Sequence, residues 1–302
     1  MAFKKKKSKL SVDALRENGA RALLFACAFV SLITLGLVFI FLLGNAIPFF
    51  QANDLWAFLT GKVWSPFSDY PLYGVLPLLM GTILVSLVAA IIAIPIGIGC
   101  TVYLSEIADP KVKRILKPVI EVLAGVPSVV YGLFAALVLS NWIFDIFHPV
   151  ARLNALNGAL ILSVMMIPIL VSVAEEAMNS VPGSLREASL ALGATKWETI
   201  RMVVIPASLP GIVAAVVLSV GRAVGETMAV IMATGSATQF TISILDSVRP
   251  ITAALAIDVP ESVAGSMQYY SLFAVGLLLF VITFSINLLA DFVLARYKEA
   301  YN

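Results

Sequence analysis

Charge is scarce in this 302-residue chain: Asp, Glu, Lys and Arg together make up 13% of it, against about 25% in an ordinary soluble domain. Hydrophobic residues reach 60%, and the mean hydropathy is +0.99. So much apolar surface cannot be hidden in one soluble core of this length, which argues against a soluble enzyme, a nucleic-acid binder and a disordered chain. Cysteine is nearly absent. Cys27 and Cys100 both lie in apolar runs, so neither a disulfide framework nor a metal site has support. The single histidine, His148, precedes Pro149 in a loop and has no partner constellation that would mark a catalytic centre. Strict apolar–polar alternation is missing as well, so closed barrels give way to helices as the means of satisfying the backbone in lipid. The sequence reads as an all-α membrane protein.

Runs long enough to cross a bilayer core, about 20 residues each, occur at 22–43, 75–104, 118–140, 156–174, 203–234 and 269–295. The net charge of +2 is uninformative by itself, but its distribution is not. Lys4 to Lys7, Lys9, Arg16 and Arg21 precede the first run. Lys111, Lys113, Arg114 and Lys117 follow the second, Arg186, Lys196 and Arg201 follow the fourth, and Arg296 and Lys298 follow the sixth. The other three loops hold one cation each: Lys62, Arg152 and Arg249. Sixteen against three, in alternation, predicts both termini in the cytoplasm. The basic start is not read as a secretory signal, because its apolar region is too long and no small-residue cleavage site follows.

Trp56, Trp64, Tyr70, Tyr73, Trp142, Tyr269 and Tyr270 cluster where the runs meet water, as an interfacial belt would. Breakers are spread over runs two to five: Pro95 with Gly97 and Gly99, Gly125 with Pro127, Pro168, and Pro206 with Pro210. Each proline frees a carbonyl that neighbours or water must satisfy. A set spread over four runs points to helices around a cavity, with simple packing irregularity as the alternative. The outer segment 235–268 contains an apolar stretch, 251–257, between Pro250 and Pro260; it fits either an interfacial helix or one that dips inward.

The loop after run four is the most patterned. Pro182-Gly183 ends the preceding helix, and Ser184 and Glu187 have capping-box spacing. Leu185, Ala188, Ser189 and Leu192 share a helical face, Gly193 breaks the helix, and Thr195 with Glu198 repeats the capping box. A short helix, a glycine turn and a second helix running toward Pro206 result. They read as a surface hairpin or as a ledge against which a partner pushes.

Run five holds Arg222 and Glu226 four residues apart, flanked by Gly221, Gly225 and Thr227. A charge at mid-membrane costs about 2.5–3.5 kcal/mol on insertion scales, so the two must pair or face a polar path. The spacing puts them on one helix face, although Glu before Arg is the better order for an intrahelical pair. The glycines thin the same helix and allow close approach. A straight helix over 203–234 would measure about 48 Å against a core of about 30 Å, which leaves Arg222 near the middle. A guanidinium fork suits tetrahedral oxyanions. A nearby carboxylate can accept the proton-bearing hydroxyl of hydrogen phosphate, which sulfate lacks.

Two sets of residues carry a family resemblance. Glu187-Ala188-Ser189, three residues, Gly193, nine residues and Val203-Val204-Ile205-Pro206 resemble the EAA signature of ABC-importer permeases. The run from Gly221 to Val230 resembles the span-five signature of PstC-type permeases of bacterial phosphate-specific ABC importers, and Met228 favours these over the sister PstA type. Stretches at 94–99, 103–106, 123–134 and 279–284 agree, so the resemblance covers about 74–295. It implies a type I importer permease: a basic cytoplasmic tail at 1–21 and a six-helix permease domain at 22–302, with a coupling loop at 183–202. Arg222, Glu226, Gly221, Gly225 and Thr227 would line the substrate path. Arg186, Glu187, Ala188, Leu192 and Gly193 would contact the ATPase. The implied partners are a second, PstA-like permease, two cytoplasmic ATPase subunits, an extracytoplasmic phosphate-binding protein and membrane lipid, with no nucleic acid. This chain has no Gly-x-x-x-x-Gly-Lys-Ser/Thr loop, so ATP would be used by the partner subunit and no cofactor is expected here. Rival readings are a permease for sulfate, molybdate or phosphonate, and an ion-coupled secondary transporter, for which no inverted repeat is apparent.

Overall fold

The computed structural model describes the backbone of residues 2–299 and the side chains of residues 20–289 and Phe292. The lysines at 4–9, Arg16, Arg296 and Lys298, which carry much of the charge argument, lie outside the described side chains. Helix α1 (Ala2–Ala52) leads through α2 (Leu55–Thr60) and a two-stranded antiparallel hairpin, β1 (Trp64–Ser65) with β2 (Leu72–Tyr73), into α3 (Leu76–Val102). Then come α4 (Pro110–Gly125), α5 (Ser128–Phe134), α6 (Ser140–Phe147) and α7 (Ala155–Asn179). The chain continues with α8 (Gly183–Ala191), α9 (Lys196–Thr199), α10 (Ile205–Gly225), α11 (Met228–Ala233), α12 (Ile251–Glu261) and α13 (Met267–Glu299). Three π-helical turns, Tyr103–Ile107, Ala135–Leu139 and Ile200–Val204, extend α3, join α5 to α6 and join α9 to α10.

Six helical stretches among the described residues are long and apolar enough to cross a bilayer: Ala20–Ala52, Leu76–Ile107, Ser128–Phe147, Ala155–Asn179, Lys196–Gly225 and Met267–Leu289. The number agrees with the hydropathy reading, while several bounds shift, and two of the runs prove to be divided. The third span begins at Ser128, not near residue 118, because Gly125, Val126 and Pro127 interrupt the helix: Val126 and Pro127 are both extended. Residues 110–125 form a separate amphipathic helix with no fully buried side chain. The fifth span ends at Gly225, and residues 228–233 form their own short helix.

The fourth span, α7, is the most buried of the six and lies at the centre, packed on α3 and α10. Asn154 starts it by accepting a hydrogen bond from the Asn157 amide at 2.9 Å. Close approach to α3 depends on Gly97, where a Cβ would stand 2.2 Å from a Leu170 methyl. Val85, Ala89 and Ala93 of α3 meet Leu162, Met165 and Met166 of α7, and Ala223, Ala229 and Val230 join them. A second core ties α1 to α13 around Phe49, Phe58, Leu78, Ile251, Leu272 and Val275.

Trp64 and Tyr73 are not interfacial anchors. Trp64 is 2% exposed and donates through Nε1 to Asp258 at 3.5 Å; Tyr73 stacks edge-on against both Phe49 and Trp64. Trp56, Tyr70 and Trp142 are exposed, as a belt requires. The apolar stretch 251–257 resolves as α12, which dips inward. The Ile251 amide donates to Thr82 Oγ1 at 2.9 Å, and Thr252 donates to the Glu226 carbonyl at 2.7 Å.

Candidate functional site

The fifth span breaks where its charges lie. Gly225 closes α10, and Glu226 is extended (φ −67°, ψ 133°), with its amide returning to the Ala223 carbonyl at 3.2 Å. Arg222 and Glu226 therefore do not share a helical face, and no ion pair joins them. Glu226 Oε1 instead accepts from the Ala229 amide at 3.3 Å, at the start of α11. The reason is backbone demand. The Thr252 hydroxyl takes the Glu226 carbonyl, which a continuous helix would have used internally. The two side chains still line one small cleft, with Leu162, Met165, Met166 and Ala223. Glu226 also borders a second cleft with Thr82, Ser86 and Thr252.

Arg222 is exposed on the surface of this single chain and forms no hydrogen bond or ion pair among the described residues. Gly225 faces open space, and Gly221 faces Asn287 of α13, whose Oδ1 would be 3.6 Å from an added Cβ. Thr227, half-buried, donates to the Gly225 carbonyl at 3.3 Å. A free guanidinium, a carboxylate with one oxygen held and an unwound backbone thus converge on an open flank where the fifth span ends. That arrangement can receive an anion; an internal stitch between helices would have consumed both charges.

The loop after α7 folds as a hairpin. Gly193 has φ +88°, the left-handed geometry that ends α8. The Thr195 capping box is complete: its amide donates to Glu198 Oε2 at 2.7 Å, and its hydroxyl accepts from the Glu198 amide at 3.3 Å. The box expected at Ser184 does not form. Pro182 precedes the helix, whose first residue is Gly183, so Ser184 lies inside the first turn and not at the cap. Glu187, Ala188, Leu192 and Gly193 are exposed, Leu192 at 90%. Arg186 turns the other way. It donates to Glu106 Oε1 at 2.8 Å and to the carbonyls of Met178 and Val181, so it ties the hairpin to α7 and to the end of the second span. Ser189 follows it inward, 3.0 Å from Thr199 Oγ1.

Two further ionic groups stand outside the residues that the sequence motifs mark. Glu175, 2% exposed, pairs with Lys113 at 2.7 Å and Lys117 at 3.4 Å. Its signal was there: two lysines four apart on an amphipathic stretch, and a carboxylate at the end of an apolar run. The other joins Arg249 to Asp258 at 3.1 Å. Burial pushes the Asp258 carboxyl above its ordinary value, opposed by the Arg249 charge and the Trp64 hydrogen bond. That pair stands nine positions apart across loop and helix, and no sequence spacing announces it.

Residues 93–299 match the family described as binding-protein-dependent transport system inner membrane component. The chain belongs to this permease family. It is a multi-pass inner-membrane protein of the ABC-importer type, and membership implies assembly with the transporter's other components, an ATPase and a binding protein among them. Over 286 residues it is 37% identical to the probable ABC transporter permease protein YqgH of Bacillus subtilis, covering 94% of this chain and 93% of that one. It is 36% identical to the phosphate transport system permease protein PstC of Mesorhizobium japonicum, covering 80% and 78%. The PstC of Haemophilus influenzae is 32% identical, covering 80% and 82%. Among solved structures, a chain of a bacterial alginate ABC transporter superposes with a TM-score of 0.62 at 16% identity, covering 91% of this chain and 95% of that one. A chain of the inward-facing MetNI methionine ABC transporter gives 0.57 at 19%, covering 72% and 93%. At these identities the structures show the fold alone.

Proposed function

We propose that this permease is a membrane subunit of an ATP-driven phosphate importer and forms half of the translocation path. Both of its termini lie in the cytoplasm. The observation that carries the reading is the unpaired Arg222 beside Glu226 at the break in the fifth span, in a chain whose relatives include PstC permeases. Arg222 offers a planar fork to phosphate oxygens, and Glu226 accepts the proton-bearing hydroxyl of hydrogen phosphate. Gly221, Gly225 and Thr227 keep the backbone thin and polar around them. Arg222 opens outward from this chain, so a second, PstA-like permease closes the path from the other side. Of two cytoplasmic ATPase subunits, one docks on the exposed surface of α8 and the turn after it, at Glu187, Ala188, Leu192 and Gly193. An extracytoplasmic phosphate-binding protein delivers the anion. Hydrolysis takes place in the ATPase subunits, and this chain needs no cofactor.

Uptake into proteoliposomes holding the purified complex tests the reading. Removing a charge-assisted fork contact, worth about 1.5–3 kcal/mol, predicts that Arg222→Gln lowers phosphate uptake by at least about tenfold with the complex still assembled. Glu226→Gln should let sulfate compete. Normal uptake by the first variant together with unchanged sulfate exclusion by the second would refute the path assignment.

A further inference from the structure

We propose that Glu175 is a positioning residue that locks α4 to α8, so that the two move as one lever acting on the break in the fifth span. The proposal rests on the transport reading above and adds the route by which the ATPase contact reaches the anion site. A buried carboxylate is tolerated only with partners, and Glu175 has three: Lys113, Lys117 and the Asn179 side chain, which donates at 3.3 Å. Both lysines stand on one face of α4, a helix with no fully buried side chain that packs chiefly on α7. The ion pairs therefore set where α4 lies. From Asn179 the connection continues outward. Asn179 Oδ1 accepts from Ser105 at 3.0 Å, Glu106 is the next residue of the same turn, and Glu106 holds Arg186 of α8. Apart from the Ser105–Glu106 peptide bond, every link between α8 and α4 is a hydrogen bond or an ion pair.

The other end of α4 leads to the site. Tyr131 of α5 donates to the Leu123 carbonyl at 2.9 Å, bridging the interruption at Val126 and Pro127. The next residue, Gly132, brings α5 against α11 so closely that a Cβ would stand 2.8 Å from Met232 sulfur and 3.2 Å from Ala229 Cα. Ala229 is the residue whose amide holds Glu226. A displacement of α8 that kept these contacts would carry α4, α5 and α11, and so shift Glu226 against Arg222. Such a unit has two discrete positions if interfaces repack as wholes.

The test uses the full complex in proteoliposomes, with spin labels at Arg114→Cys and Ser184→Cys on a background in which Cys27 and Cys100 are Ala. With Glu175 intact, the distance between labels should be the same without nucleotide and with ATP trapped. Glu175→Gln should broaden or split it, leave co-purification of the ATPase and basal hydrolysis as they were, and lower both stimulated hydrolysis and uptake about tenfold. If the single variant fails to assemble, the neutral triple Glu175→Gln/Lys113→Gln/Lys117→Gln replaces it, with the same expectation. An unchanged, narrow distance with normal stimulation in either variant overturns the proposal. The label distances need no transported anion. Wild-type complex that shows them but takes up no phosphate would therefore overturn the phosphate reading alone.

Discussion

At the scale of single residues, the charges in this permease divide by whether the chain itself supplies a partner. Glu175, Glu106 with Arg186, and Asp258 with Arg249 are all paired; Arg222 has no hydrogen bond or ion pair among the described residues. A cation left without a partner in an apolar span is costly, and a transport path gives that cost a purpose. Asp258 shows the opposite economy, because its burial outweighs its partners. A carboxyl whose folded pKa is raised binds its proton while the unfolded chain's carboxyl is still ionised. Stability therefore falls as pH rises from the ordinary carboxylate value through the folded one. Trp64, in contact with Asp258, is the reporter. Thermal unfolding followed by tryptophan fluorescence should show higher stability at the acid end of that window, and Asp258→Asn should flatten the slope. A wild-type profile that rises with pH there would contradict the burial argument.

Helices are shaped here by where they stop. Gly125 to Pro127 separates α4 from the third span, the Glu226 carbonyl given to Thr252 ends α10, and Gly193 ends α8. The third stop was legible, because Gly punctuates locally; at the first, Gly125 and Pro127 read as a kink within run 118–140, where the helix in fact ends. The second was not legible: no proline or further glycine follows Gly225, and the acceptor lost to the helix is claimed by a side chain 26 residues away. The Thr195 capping box was legible for the same local reason as Gly193, whereas at Ser184 the spacing was right but the helix starts one residue too early for a cap. At Gly193 the positive φ implies a specific outcome. A β-branched residue there costs about 1–2 kcal/mol in the left-handed region, with open space around it. Gly193→Val should skew α8 against α9 and lower ATP-driven uptake several-fold while the melting temperature of the spans holds. Uptake at wild-type rate would show the turn to be passive.

For the whole molecule, the exposed surfaces are as informative as the core. α7 is enclosed, while the flank of α10 bearing Arg222 and the outer face of α8 are open. Glu187→Lys reverses a charge on the open face of α8 without touching Arg186 or Ser189. Co-purification of the ATPase should drop about tenfold, in line with a charge clash across a docked contact, and undiminished capture would reject that face as the docking site. The sequence by itself determined the membrane class, the number of spans, the hairpin around Gly193 and the residues to watch, because hydropathy and backbone punctuation act over a few turns. Tertiary structure decided the partners: that Arg222 and Glu226 stand across a break and not along a helix, that Arg186 faces inward, and that a buried Glu175 holds α4. Those are contacts between segments far apart in the chain, made because buried charges and freed carbonyls must find partners wherever the packing supplies them.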